Sequence, residues 1–145
     1  MESTTMGRVL TEATIENLQD IYEMKLGHRE PEAVRRVTVL DALVDTGTTT
    51  LSLPSSLARQ LGLQTVTMKR TTTTGGRRDA NLLEAVRLII IGRHCTLDAL
   101  EVPDGVPVLI GQIPLEFLDF VIDPQGRKLI GNPEHGGEKM FEMYI

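Results

Sequence analysis

One cysteine, Cys95, stands in 145 residues, and tryptophan is absent altogether. A lone thiol can form no intrachain disulfide, so a reducing cytoplasm is the expected compartment. Long apolar runs are missing as well. Stretches such as Leu88–Ile91 fall far short of the roughly 20 residues that cross a bilayer. The opening residues, Met1-Glu2-Ser3-Thr4-Thr5, bring an acid early and no apolar core, unlike a secretory signal. Excess positive charge is also lacking: fifteen Lys and Arg face twenty Asp and Glu, a net charge of −5. That balance excludes bulk basicity as a route to nucleic acid. Neither nucleic acid nor a membrane is therefore an expected partner.

Aromatic residues are scarce, with two tyrosines and three phenylalanines. The apolar load falls instead on Val, Ile and Leu, and sixteen threonines add further β-branched side chains. That mix favours strands. Glycines and prolines recur at short intervals after residue 60, as in an all-β fold of many short strands. The length suits one domain spanning 1–145.

Along the chain, Gly7–Asn17 reads as a first strand, and the more polar segment 18–33 reads as a long hairpin connection with a helical turn at Pro31-Glu32-Ala33. Val34–Val44 is the best strand of the first half. Leu51–Leu53 is extended, and Pro54–Gly62 reads as a helical turn closed by glycine. Val66–Arg70 and Leu82–Ile91 flank the hairpin signal Thr74-Gly75-Gly76. Cys95–Val102 and Val108–Gly111 are further strands, and Pro114–Phe120 is the one convincing helix, with proline in its first turn. Phe120–Asp123 and Lys128–Ile130 should pair across Pro124-Gln125-Gly126. The tail, Met140–Ile145, has strand composition.

Chemistry concentrates at Leu43-Val44-Asp45-Thr46-Gly47-Thr48-Thr49. A carboxylate at the end of a buried strand is an expensive place for a charge. Asp-Thr-Gly alone is weak, because it arises by chance in roughly one chain in thirty of this length. An Asp that merely caps a turn would look the same. Context adds weight, since an apolar strand precedes it and strand-forming residues follow.

Two families spell this segment similarly. Asp45-Thr46-Gly47-Thr48-Thr49 resembles the first phosphate loop of the sugar-kinase, actin and heat-shock chaperone ATPases. Those proteins hold nucleotide between two large lobes, which 145 residues cannot build, and no second phosphate loop follows. The other resemblance reaches further. Ala42–Thr48 looks like the catalytic strand and loop of the retropepsin-like aspartic proteases. Thr73-Thr74-Gly75-Gly76 resembles the tip of their flap, and Pro107–Leu115, containing Ile110-Gly111, resembles the strand and helix that back their active site. The blocks keep the family's order, and the likeness is strongest over 34–131. Two departures stand out. Where viral members carry an Asp after the catalytic loop and an Arg after the Ile-Gly element, this chain has Thr49 and Gln112. Losing both members of a charge pair strands neither charge.

The resemblance implies an all-β fold: a closed acid-protease barrel with one short helix in its C-terminal half. It also implies an aspartic endopeptidase that takes a peptide or protein substrate. Acid–base hydrolysis of this kind needs two carboxylates sharing one proton. The chain has one Asp-Thr-Gly, and Asp41 lies too far along the same strand to share a proton with Asp45. The resemblance therefore implies a homodimer with one Asp45 from each subunit. In it Thr46 bonds its counterpart across the two-fold axis, Gly47 lets substrate approach, and Thr48 donates to the carboxylate. Thr74, Gly75 and Gly76 form the flap, Ile110 and Gly111 back the site, and the tail 132–145 supplies a dimer-interface strand. A retropepsin-fold dimerisation or peptide-binding module with negligible proteolysis would have the same core.

The remaining reactive side chains read plainly. His28, His94 and His135 are scattered and, with Cys95, match no metal-ligand spacing, so neither metal nor cofactor is expected. They read as surface or ordinary structural histidines, and Cys95 as a small buried side chain. Lys69, Arg70, Arg77 and Arg78 frame the flap hairpin as solvated charges.

Overall fold

The computed structural model describes residues 8–145. The expected strand start at Gly7 and the acid-bearing segment Met1–Thr5 lie outside them. The elements, in order, are β1 (Val9–Asn17), α1 (Leu18–Lys25), a 3-10 turn (Pro31–Ala33), β2 (Arg36–Val44), β3 (Leu51–Pro54), α2 (Ser55–Gln60) and β4 (Thr65–Thr73). They continue with β5 (Gly76–Ile90), β6 (Arg93–Val102), β7 (Leu109–Ile110), α3 (Gln112–Leu118), β8 (Phe120–Asp123), β9 (Lys128–Gly131) and a second 3-10 turn (Pro133–His135). The protein is mostly β, as its β-branched composition requires. Among the described residues no helix is long and apolar enough to cross a membrane.

The main sheet runs β1-β2-β7-β3-β6-β5-β4, and β1 also pairs with β5. Successive pairings therefore lead from β1 through β2, β7, β3, β6 and β5 back to β1. Two contacts are parallel, β2 with β7 and β3 with β6, and the others in this circuit are antiparallel. The short pair β8–β9 forms a second sheet. Inside the circuit lie Ile15, Leu51, Leu53, Leu83, Val86, Leu88, Ile90 and Ile110, all fully buried. Their aliphatic surfaces supply the main driving force for folding. Plain alternation along β1 turns Leu10 outward and keeps Val9, Ala13 and Ile15 inside, and a bulge opposite Thr11–Ala13 places one extra residue in β2 between Val39 and Ala42.

The segment 18–33 corrects the sequence reading. It is not a plain hairpin connection, because Leu18–Lys25 is helical. Asn17 caps this helix by accepting the Asp20 N–H at 3.0 Å. Asp20 is itself buried, and it accepts Arg35 N, Nε and Nη2 at 3.0, 2.8 and 2.9 Å. The Arg35 hydrogen bond holds the Asp20 carboxyl below its usual range. Glu16 takes Arg87 and Arg36 in the same way, at 2.7 and 3.0 Å. Burial alone would raise its carboxyl, but the two guanidinium bonds outweigh it and lower it.

The tail differs as well. Met140–Ile145 pairs with no strand of its own chain among the described residues, despite its composition.

Candidate active site

Strand β2 runs parallel to β7, with Val44 opposite Ile110, and both residues are buried. The next residue is Asp45, so an apolar strand delivers a half-buried carboxylate at the point where its ladder stops. Its backbone N–H still donates to the Ile110 carbonyl at 2.9 Å, which fixes the start of the loop. The Thr48 N–H then returns to the Asp45 carbonyl at 3.0 Å, closing a tight turn.

Each carboxylate oxygen has its own donor within this turn. Gly47 N–H reaches Oδ1 at 3.0 Å, and the Thr48 hydroxyl reaches Oδ2 at 2.9 Å. Thr46 is exposed between them. The carboxylate is thus oriented from one side by its own loop and left open on the other. Two charge-directed hydrogen bonds of this kind hold an ionised carboxylate in one rotamer.

Behind the loop, β7 is followed at once by buried Gly111, the residue before α3. A side chain there would collide with the carbonyl oxygens of Thr48 and Thr50. Glycine is needed at this position because two backbones touch, not because of its dihedral freedom. Beyond it, Gln112 N–H donates to Thr48 O at 2.7 Å and Ile113 N–H to Thr49 O at 2.9 Å. These are first-turn amides of α3, which no intrahelical carbonyl can satisfy. Backbone therefore joins the loop to the helix at the two places, Thr49 and Gln112, where viral retropepsins carry charges. The Gln112 side chain turns away to Glu116 Oε1 at 2.8 Å.

The structure thus brings Asp45, Thr46, Gly47, Thr48, Ile110 and Gly111 together: hydrogen bonds join Asp45 to Gly47, Thr48 and Ile110, and Gly111 packs against the Thr48 carbonyl. Thr74, Gly75 and Gly76 lie elsewhere, at the tip of the exposed β4–β5 hairpin. Thr73 and Gly76 face each other across it, and the Thr73 hydroxyl donates to Gly76 O at 2.8 Å. No hydrogen bond joins this tip to the Asp45 loop among the described residues. Arg70 faces Asp79 at 3.6 Å on the same hairpin. The carbonyls of Thr49 and Thr50, which seat Ile113 and crowd Gly111, carry no signal in the sequence, because main-chain acceptors are common to every residue type.

Cys95 is buried, and burial pushes its thiol up to about 11, which disqualifies it as a thiolate nucleophile. Among the described residues no group of three or more His, Cys, Asp or Glu side chains is placed to hold a metal ion.

A strand-borne Asp in a Thr-Gly turn, backed by a second strand and the glycine after it that touches that turn, defines an aspartic-protease type of domain. Residues 33–118 match the family model described as aspartyl protease, and the chain belongs to that family. The match contains the Asp45 loop, the hairpin and the β7–α3 corner, and it ends at the last residue of α3. A search of curated proteins gives no significant match.

Proposed function

We propose that the protein is an aspartic endopeptidase that acts as a homodimer, with one Asp45 from each subunit. The observation that carries this reading is the Asp45 carboxylate itself, held by Gly47 N–H and the Thr48 hydroxyl at the end of a buried strand. Two such carboxylates facing each other cannot both be ionised, so the pair keeps one proton between them. The ionised member takes a proton from water as its oxygen attacks the peptide carbonyl. The protonated member hydrogen-bonds the carbonyl oxygen and passes its proton to it. Collapse of the tetrahedral diol then breaks the C–N bond as a carboxyl protonates the departing amine.

The rest of the site fits these roles. Exposed Thr46 is free to bond its counterpart across the two-fold axis. Thr74, Gly75 and Gly76 form a flap over the substrate, and Ile110 and Gly111 keep the loop in place. The circuit of pairings from β1 back to β1 supports a closed barrel, a rigid frame for the dyad.

Hydrolysis of a denatured protein, with and without a pepstatin-type inhibitor, tests the reading. Asp45→Asn is near-isosteric but cannot exchange the proton, so cleavage should fall by about a hundredfold or more while fold and dimer persist. A variant that still cleaves refutes the assignment. A wild type that dimerises and binds peptide without cleaving it would instead be the binding module.

A further inference from the structure

The C-terminal residues combine exposed apolar side chains with an ordered polar anchor. Met140, Phe141, Met143, Tyr144 and Ile145 are each at least 45% exposed. Such a density of bare apolar surface marks a contact site. Yet the segment is fixed in place, and one residue does most of the fixing.

Asp119 closes α3 in the left-handed conformation, with φ 59° and ψ 46°. Its side chain is 9% exposed. Oδ2 receives His135 Nδ1 at 2.6 Å and Met140 N–H at 3.1 Å, and Oδ1 receives Asn132 Nδ2 at 3.2 Å. Its carbonyl accepts Asn132 N–H at 3.0 Å and Arg93 Nη1 at 2.9 Å. His135 carries the link outward, because its other nitrogen, Nε2, lies 3.6 Å from Glu142 Oε2. Beside this chain Phe141 packs edge-on against Phe117 of α3, with centroids 5.0 Å apart, and Lys139 Nζ sits over both rings.

We propose that Asp119, His135 and Glu142 form a proton-operated clasp that seats the C-terminal residues against α3 as a surface for a second copy of this chain. The inference rests on the dimeric reading of Asp45, since that chemistry is what demands a second copy. An imidazolium donates from both nitrogens and so joins Asp119 to Glu142. A neutral ring keeps Nδ1–H on Asp119 and turns a lone pair toward the Glu142 carboxylate. The outer half of the clasp then opens.

The linked shifts give the window. The Asp119 bond raises His135 above its ordinary 6.5, and the His135 bond lowers Asp119 below its ordinary 3.8. A raised histidine contributes fully below 6.5 and loses its contribution as pH climbs through the folded value. A lowered aspartate contributes fully above 3.8 and loses it as pH falls through its own. The clasp is therefore strongest between these two limits, on the acid side of neutrality. Other charges nearby are Arg93 on β6, Glu116 on α3, and Glu134, Glu138 and Lys139 on the segment itself. His94 on β6, whose carbonyl accepts Lys139 Nζ at 3.3 Å, is the other imidazole of the packed elements.

Sedimentation velocity on the full chain at about pH 5.5 and pH 8 tests the clasp, with thermal unfolding measured alongside. The wild-type dimer should dissociate roughly tenfold more readily at the higher pH. His135→Gln and Glu142→Gln should flatten that dependence, and His94→Gln should keep it. Glu142 is exposed on the surface, so its variant folds even if the His135 variant does not. Equal dimer affinity at both pH values, or an undiminished dependence in Glu142→Gln, overturns the clasp and leaves the dimeric protease standing. A wild type that is monomeric at both overturns the dimeric reading and the clasp together.

Discussion

At Gly111 and Gly47 the same residue type answers two different demands. A Cβ at Gly111 would meet the Thr48 and Thr50 carbonyl oxygens, and backbone cannot swing aside as a side chain can. A Cβ at Gly47 would meet only Asp45 Oδ1, at 3.3 Å. Gly111→Ala must therefore push β7 from the loop and lengthen the Gln112–Thr48 and Ile113–Thr49 bonds. It should cost about 3 kcal/mol, at the upper end of ordinary overpacking penalties. Gly47→Ala should cost less than about 1 kcal/mol in stability, because its conflict is with one rotatable carboxylate. It should still depress hydrolysis, since that carboxylate is the proposed reacting group. Urea unfolding and peptide cleavage on both variants check the contrast. Equal stability losses would mean that the β7 corner is looser than its hydrogen bonds indicate.

Among the elements, the β4–β5 hairpin separates its glycines in a similar way. Gly76 has φ +110°, where an L side chain is strained, whereas Gly75 has ordinary dihedrals and room for a Cβ. Replacing both by valine would confuse a bent backbone with a moving tip. Gly76→Val should unpair Thr73 from Gly76 and speed amide exchange along the hairpin end, while the global melting point stays within a few degrees. Every residue of β4 except Thr71 is exposed, so little core depends on the tip. Gly75→Val should leave exchange unchanged and impair cleavage alone. Fast exchange in Gly75→Val would place the strain at the wrong glycine. The strands were legible in the sequence because Val, Ile and Leu alternate or cluster between turn residues, as in β2, β5 and β6. Helix α1 was not, since its fully buried positions include a carboxylate, Asp20, beside Ile21, and no apolar stripe marks its inner face. Asn17, which caps it, also ends β1. Similarly, α3 begins at Gln112 rather than Pro114 because loop carbonyls, remote in sequence, satisfy its first amides. The Asp45 loop was legible down to the Thr48 hydroxyl, being a local turn. The bonds of Asp119 to residues 132–140 were not, because they depend on how the end of α3 meets a segment after the second sheet.

On the scale of the whole molecule, each chain has one Asp-Thr-Gly, so the proposed dyad makes activity a property of pairs. If each active site uses one Asp45 from each of two subunits, then mixing equal amounts of wild type and Asp45→Asn, with free exchange, leaves only about a quarter of the dimers with both carboxylates. A heterodimer retains one carboxylate and one amide, which cannot divide the roles of acid and base, so it should be inactive. Activity per wild-type chain should therefore fall to about half, and it should fall further as more variant is added. If each chain worked alone, activity per wild-type chain would stay constant at every ratio. The quadratic loss also requires that the subunits exchange, which can be driven by passing the mixture through a concentration where the dimer dissociates and then restoring it. Titrating Asp45→Asn into a fixed amount of wild type, and reading peptide cleavage at each ratio after exchange, gives a curve whose shape identifies the number of chains per site. A flat line would remove the shared dyad, whatever the fold of the single chain.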